Sequence, residues 1–331
     1  MPPTVVRHPG RALMGTVLVT SRSFSSGNSD EAGRLSDAGH TVVTGPASHE
    51  LAVLQGLLRN AVGWIAGTGE ITREHLDAAP QLRVIARYGV GIESVDVAAA
   101  EERGIVVTNT PGANSDAVAD HAVGLMLAIL RGTTAGDRRV RANDWTVLRG
   151  RELGALTIGI VGFGRIGQGV ARRLRGFGSR IVAHDPWLSD EAIIDRGATP
   201  IGVSDMAAEC DLVTLHSPGG TCIVTDAWLA RARPGLIVVN TARPELVDEP
   251  ALAQALRLKR IAGFAADTLV GDTRGLASPL LAADLQDRVI VTPHFGAQTT
   301  QAVDSMSSMA VNNLLSVLAG DTPANPVSTK A

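Results

Sequence analysis

Apolar residues recur along this chain in two series of short runs. The first series is TVLVT (16–20), HTVV (40–43), GWIAG (63–67), LRVIA (82–86) and GIVV (104–107). The second is LTIGIVG (156–162), SRIVAHD (179–185), DLVTLH (211–216), GLIVVN (235–240), IAGFAAD (261–267) and RVIVTPH (288–294). Amphipathic helical stretches separate most of these runs. Such alternation predicts parallel sheets covered on both faces by helices. Between the series, GANSDAVADHAVGLMLAILR (112–131) carries apolar residues at 118, 122, 125, 126 and 129, the spacing of one long helix joining two halves. A last helix is expected over roughly 298–319. If it packs back on the first half, that domain is discontinuous. The expected division is 1–111 with 296–331, and 112–295.

The first five runs resemble a flavodoxin-like unit. The six runs of the second series match the strand number of a doubly wound dinucleotide-binding sheet. The expected fold class is therefore α/β, with two doubly wound parallel-sheet domains, the second of Rossmann type.

Composition agrees and removes several functions. A chain of 331 residues suffices for two domains, and 45% apolar content supports a large core. Many glycines and only 3% aromatics suit closely packed α/β layers. A net charge of −3 without a basic block argues against nucleic acid as a partner. The longest apolar stretch, around 121–130, is broken by Gly124 and is too short to span a bilayer, so no membrane partner is expected. Only Cys210 and Cys222 occur, which suggests a reducing, cytoplasmic compartment. The first dozen residues lack the apolar core of a signal peptide. Neither the cysteines nor the eight histidines have metal-ligand spacing, so no metal is expected.

The chemistry begins in TIGIVGFGRIGQGVARRLRGFG, where Gly162, Phe163, Gly164, Arg165, Ile166 and Gly167 form a G-x-G-x-x-G. The motif follows a strand, opens a helix and precedes a second strand that reaches Asp185. That context makes it a dinucleotide fingerprint. Gly162 permits the tight turn, Gly164 lets the backbone approach a pyrophosphate, and Gly167 lets helix and strand pack closely. The phosphates then meet the free N–H groups of a helix N-terminus. Asp185 can accept bonds from ribose hydroxyls and would repel a 2′-phosphate. Pro186 and Trp187 offer no arginine to receive one, so NAD is favoured over NADP.

From about residue 15 to 325 the pattern resembles the D-isomer-specific 2-hydroxyacid dehydrogenases, most of all their phosphoglycerate dehydrogenase-like branch. The matching pieces are ARYGVGIESVDVAAAEERGIVVTNTPGANSDAVADH, GFGRIGQ, LHSP, RPGLIVVNTAR, GFAAD and TPHFG. The resemblance implies a flavodoxin-like substrate domain beside the NAD-binding domain, and a catalytic trio of arginine, acid and histidine. Arg243 in NTAR and His294 in TPHFG match the arginine and the histidine. The family's acid is usually a glutamate five residues after the aspartate matched by Asp267. Here that count reaches Asp272, followed by Thr273 where proline often stands. A second departure is Pro244-Glu245 after Arg243, where glycine is common. The same resemblance places Val118, His216, Ser217, Pro218, Thr241, Ala242, Asp267 and Gly296 against the cofactor, Asp267 near the nicotinamide amide. It places Arg87, Tyr88, Gly89, Val90 and Gly91 at the substrate, with Arg243 and His294. It also implies a homodimer through the long linking helix. The regulatory domain of longer phosphoglycerate dehydrogenases is not expected in this chain.

These residue types suit the reaction. When hydride leaves the substrate carbon, the hydroxyl proton needs an acceptor, and a neutral imidazole with an ordinary pKa of about 6.5 serves near neutral pH. A carboxylate behind it, here Asp272, fixes the tautomer and stabilises the charged ring. One methylene shorter than glutamate, Asp272 requires a closer loop or a bridging water, and Gly271 can permit the approach. The guanidinium fork of Arg243, just past a strand, can hold a carboxylate bidentately. Gly89, Val90 and Gly91 can present backbone N–H groups to the same carboxylate. Arg87 favours a substrate with a second anionic group, phosphate or phosphonate, although a scaffold role for it is equally open. The expected function is NAD-dependent hydride transfer between the nicotinamide and a 2-hydroxy or 2-keto acid. The alternatives are a hydroxypyruvate or glyoxylate-type reductase and an NAD-sensing co-repressor-like binding protein. Formate-type enzymes pair their histidine with glutamine, and phosphite-type enzymes tend to place lysine near positions 87 and 88. This chain has neither.

Overall fold

The computed structural model describes residues 14–271 and 277–329. The chain forms two units. One contains the chain up to Asn114 together with Gln298 onward, and the other runs from Ser115 to Ala297.

In the first unit, β1 (Thr16–Val19), β2 (Thr41–Thr44), β3 (Ala61–Ala66), β4 (Val84–Arg87) and β5 (Val106–Thr108) are parallel in the order β2-β1-β3-β4-β5. That is the flavodoxin-like order. Helices α1 (Glu31–Asp37), α2 (Leu51–Leu58), α3 (Arg73–Asp77) and α4 (Val97–Glu102) connect the strands. Asp30 and Asp96 cap α1 and α4 by accepting the Gly33 and Ala99 N–H groups. Trp64, Ile85, Leu54 and Leu58 lie in the core of this unit. The last long helix, Thr300–Ala319, packs on β3, β4 and β5. Gly63 permits its close approach, because a Cβ there would meet Leu314 at 2.9 Å. The Tyr88 hydroxyl also donates to the Val303 carbonyl in its first turn at 3.2 Å. An edge pair, Pro326–Val327, runs antiparallel to β5 and has no apolar run by which sequence could reveal it.

The second unit begins with the long helix α5 (Ser115–Arg131), followed by α6 (Thr133–Arg141). Its strands are β6 (Thr157–Val161), β7 (Arg180–His184), β8 (Thr199–Pro200), β9 (Leu212–Leu215), β10 (Ile237–Asn240), β11 (Gly263–Ala266) and β12 (Val289–Val291). Their order is β8-β7-β6-β9-β10-β11-β12, all parallel. The six from β8 to β11 follow the doubly wound order and β12 extends it at the other edge. Six strands were expected and seven are present among the described residues, because β8 is a two-residue edge strand containing proline, too short to leave a hydrophobic signature. Alternate residues face opposite layers. Val238 of β10 packs with Leu252, Leu256 and Phe264. Its neighbours Ile237 and Val239 pack with Met126 of α5 and with Val170 of α7 (Arg165–Arg175). Helices α5 and α7 cross closely, since a Cβ on Gly169 would meet Ala119 Cβ at 3.1 Å. No helix among the described residues is long and apolar enough to cross a membrane.

Candidate active site

The G-x-G-x-x-G turn occupies the crossover from β6 to α7. Gly162 has φ +87°, and a Cβ there would lie 2.5 Å from the Ser217 nitrogen. Only glycine allows both that dihedral and that contact. A Cβ on Gly167 would meet the Gly162 carbonyl oxygen at 2.1 Å, so helix and strand pack without a side chain between them. A Cβ on Gly164, at the helix N-cap, would meet nothing within 4 Å. That open face is where a pyrophosphate fits against the first N–H groups of α7. Phe163 is fully buried and anchors the turn. Arg165 is exposed and Ile166 half-buried beside it.

Asp185 follows β7 and is 8% exposed. Its Oδ2 accepts the Phe163 N–H at 2.7 Å and its Oδ1 the Trp187 N–H at 2.9 Å. Each carboxylate oxygen has two lone pairs, so capacity remains for ribose hydroxyls. The loop after β9 lies against Gly162. Burial pushes the His216 imidazole down to about 3, and the ring sits 2.9 Å from Thr214 Oγ1 and 3.5 Å from Thr241 Oγ1. A neutral, hydroxyl-bound ring suits a pocket wall and not a proton carrier. Ser217 Oγ is buried with no hydrogen-bond partner among the described residues, a polar atom that a bound cofactor could satisfy. Pro218 is exposed, Ala242 half-buried, and Val118 on α5 buried. The residues present fit NAD.

Three strand ends carry the remaining groups. Asn240, Ala266 and Val291 are aligned in register across β10, β11 and β12. Asp267 stands one residue past this line, and Arg243 and His294 each three past it. All three leave the carboxyl edge of the sheet, where open α/β sheets bind ligands. Arg243 is half-buried, with extended backbone, and its Nη1 donates to the Ala242 carbonyl at 3.1 Å. The turn before it is held by Asn240, which the sequence reading did not single out. His294 is exposed and has φ +54°, the left-handed region, which histidine tolerates better than most residues but at some cost. Its N–H turns back to the Thr292 carbonyl at 2.9 Å, closing a tight turn around Pro293. The expected strand 288–294 therefore ends at Val291.

Asp267 is buried and fastens the far side of this turn. Its Oδ2 accepts the Gly296 N–H at 2.8 Å and its Oδ1 the Phe295 N–H at 3.1 Å. Burial by itself would raise its carboxyl, but hydrogen bonds from His121, Thr292 and Gly296 hold it below the usual carboxylate range. Asp272, the expected partner of His294, lies outside the described residues. Gly271, just before it, has φ +77°.

In the first unit, the loop after β4 holds the other expected residues. Arg87 is only 6% exposed, and its Nη1 donates to the Ala66 carbonyl at 2.9 Å and the Tyr88 carbonyl at 3.4 Å. Tyr88 is buried, and its hydroxyl bonds Ser23, Val303 and Ser307, so it ties the unit together. Gly89 has φ +131° and donates its N–H to Thr110 Oγ1 at 3.0 Å. The Val90 carbonyl accepts from the Asn109 amide at 2.9 Å. Thr110 and Asn109 thus hold the Gly89–Val90–Gly91 loop from the end of β5, and neither was anticipated. Among the described residues, no group of three His, Cys, Asp or Glu side chains has the arrangement of a metal site.

A doubly wound sheet with this loop, and an acid at the end of its second strand, defines a dinucleotide-binding domain. The model of the D-isomer specific 2-hydroxyacid dehydrogenase NAD binding domain matches residues 123–296. The chain belongs to that family, and NAD is its cofactor. It is 37% identical over 256 residues to D-3-phosphoglycerate dehydrogenase of Mycobacterium tuberculosis (strain ATCC 25618 / H37Rv), covering 76% of this chain and 48% of that protein. The chain thus spans about half the length of that relative. It is 34% identical over 274 residues to glyoxylate reductase of Thermococcus litoralis, covering 78% of this chain and 81% of the relative. The solved TT0316 protein of Thermus thermophilus superposes with a TM-score of 0.83 at 35% identity, over 94% of this chain and 99% of that one.

Proposed function

We propose that this protein is an NAD-dependent D-2-hydroxyacid dehydrogenase that uses Arg243 and His294 on one sheet edge. The observation that carries the reading is the register of Asn240, Ala266 and Val291, which brings both residues to the ligand-binding edge of the same sheet as the dinucleotide loop. Bound NAD supplies the hydride acceptor or, in the reverse direction, the donor. Arg243 holds the substrate carboxylate through its guanidinium fork. His294 takes the hydroxyl proton in oxidation and returns it to the keto oxygen in reduction. Asp272 is the proposed orienting carboxylate. In the first unit, the Gly89 N–H is already engaged, so the N–H groups of Val90 and Gly91 are the proposed carboxylate donors. Asp185 favours NAD over NADP through its charge.

The substrate class proposed first is a 2-hydroxy or 2-keto acid with a second anionic group, as in the phosphoglycerate dehydrogenase-like branch. One observation favours the alternative of a small 2-keto acid of the glyoxylate or hydroxypyruvate type. Arg87, on which the distal anion depends, is buried and donates to two backbone carbonyls. A screen of 2-keto acids with and without phosphate or phosphonate, followed by NADH absorbance, separates the two. NADH binding without turnover of any keto acid would instead support a co-repressor-like binding protein.

A homodimer through α5 is proposed as well. Trp145 and Val147, 74% and 90% exposed beyond α6, are apolar surface that such an interface would cover. Cys210 and Cys222 are unpaired, which suits a cytoplasmic location.

A further inference from the structure

His121 lies on α5, far in sequence from Asp267 and the turn at His294, yet it reaches both. Its Nε2 is 2.9 Å from Thr292 Oγ1 and 3.3 Å from Asp267 Oδ1. The Thr292 hydroxyl in turn donates to Asp267 Oδ1 at 2.5 Å. With a proton on Nε2, the order is therefore His121 to Thr292 to Asp267. The His121 ring also rests on the Phe295 ring, with centroids 5.0 Å apart. At Gly296 a Cβ would strike Asp267 Oδ2 at 2.9 Å and His121 Cδ2 at 3.2 Å. So Phe295 and Gly296 are fixed by an aspartate which His121 and Thr292 fix from behind.

This arrangement matters because His294 has a left-handed backbone. A non-glycine residue held there costs about 1–3 kcal/mol and persists only where its surroundings over-determine it. On the preceding side the turn is closed by the bond from His294 N–H to the Thr292 carbonyl. On the following side it is closed by the two N–H bonds to Asp267. A carboxylate can rotate about its side-chain torsions, and the Thr292 hydroxyl and the Phe295 N–H on Oδ1, with the Gly296 N–H on Oδ2, prevent that.

We propose that His121 is a positioning residue, which orients Asp267 through Thr292 and thereby fixes the Phe295–Gly296 turn that presents His294. The proposal rests on the reading of His294 as the acid/base group for its effect on turnover, but not for its effect on the turn. It assigns α5 a part in the site in addition to its packing on α7.

The test uses the whole chain and the variants His121→Ala, His121→Gln and Thr292→Val. Hydrogen exchange is measured on the cofactor-free protein for peptides covering 292–297, and kcat and KM are measured with the best keto acid and NADH. In His121→Ala the amides of Phe295 and Gly296 are expected to exchange faster. Turnover should fall about 10- to 100-fold through kcat, as a misplaced catalytic group implies, with KM for the keto acid little changed. His121→Gln restores a donor at similar reach and should recover most of both properties. Thr292→Val should reproduce the His121→Ala exchange, and it carries the test if His121→Ala does not fold. Unchanged exchange at 295 and 296 in both His121→Ala and Thr292→Val overturns the proposal, as does a His121→Gln variant as impaired as His121→Ala. If the unmodified chain turns over no keto acid, the dehydrogenase reading fails, and the cofactor-free exchange still decides the role of His121.

Discussion

Asn240 holds the turn that carries Arg243 by both sides of its amide. Its Nδ2 donates to the Arg243 carbonyl at 2.8 Å, and its Oδ1 accepts the Ala242 N–H at 3.0 Å. The residue is 1% exposed and is the last of β10, so the sheet itself fixes it. The turn carrying the arginine is therefore built from the strand outward and does not depend on a bound ligand.

Asn240→Ala removes both bonds and leaves an N–H and a carbonyl near the protein interior without them. A loss of about 1–3 kcal/mol in stability is expected, together with a raised KM for the keto acid as Arg243 loses its position. Urea unfolding and steady-state kinetics measure the two effects. An unchanged KM in a destabilised variant would mean that Arg243 is positioned by other contacts.

His294→Ala is expected to lower kcat by about 10²- to 10⁴-fold, the range for a positioned acid/base group. NADH affinity, followed by fluorescence quenching, should change little, because the ring is exposed beyond the strand end. Turnover close to that of the unmodified protein would remove His294 from the role.

Asp185→Ser takes away the carboxylate proposed to accept the ribose hydroxyls, along with its bond from the Phe163 N–H. Charge-assisted hydrogen bonds are worth about 1.5–3 kcal/mol, so NADH should bind roughly 10- to 100-fold more weakly. NADPH should lose less or gain, since its 2′-phosphate no longer meets a negative charge. Titration of both cofactors checks the difference, and equal losses for the two would exclude charge as the basis of selectivity.

Two histidines, the buried His49 and the half-buried His216, make stability depend on pH. Burial lowers His216 to about 3 and His49 to about 4. An unfolded histidine titrates near 6.5. Above that pH both states are neutral and the full stability is present. As pH falls below it, only the unfolded state binds the proton, and each histidine removes up to about 1.4 kcal/mol per pH unit. The loss from His49 ends near pH 4 in the first unit, and that from His216 continues toward pH 3 in the second. His49→Gln should flatten the pH profile of the first unit alone, read by hydrogen exchange of peptides from each unit between pH 4 and 7. An equal slope in that variant would assign the loss to other groups.

Much of the geometry of the glycine turn and of Asp185 was legible in advance because local constraints write it. Gly162 needs a left-handed dihedral, Gly167 lies 2.1 Å (as a Cβ) from a carbonyl oxygen, and Asp185 ends the next strand. Each requirement acts over a short stretch, and only certain residue types satisfy it. The strand runs were equally visible, because a parallel sheet covered on both faces demands continuous apolar segments. The two-residue strands Thr199–Pro200 and Pro326–Val327 escaped, having no hydrophobic period to show.

What the amino-acid order determined alone was the sheet class, the dinucleotide loop and the residue types proposed for hydride chemistry. What only the tertiary structure decided was which groups hold which. His121 meets Asp267 from a distant part of the sequence, and Asn240 clamps the Ala242–Arg243 turn through side-chain bonds that no motif records. Arg87, read from sequence as a possible anion contact, is found donating to the carbonyls of Ala66 and Tyr88. The reason is physical. Periodicity and turn chemistry are set by neighbours along the chain, whereas the partner of a buried polar group is set by register between strands and by helix packing, which exist only once the chain has folded.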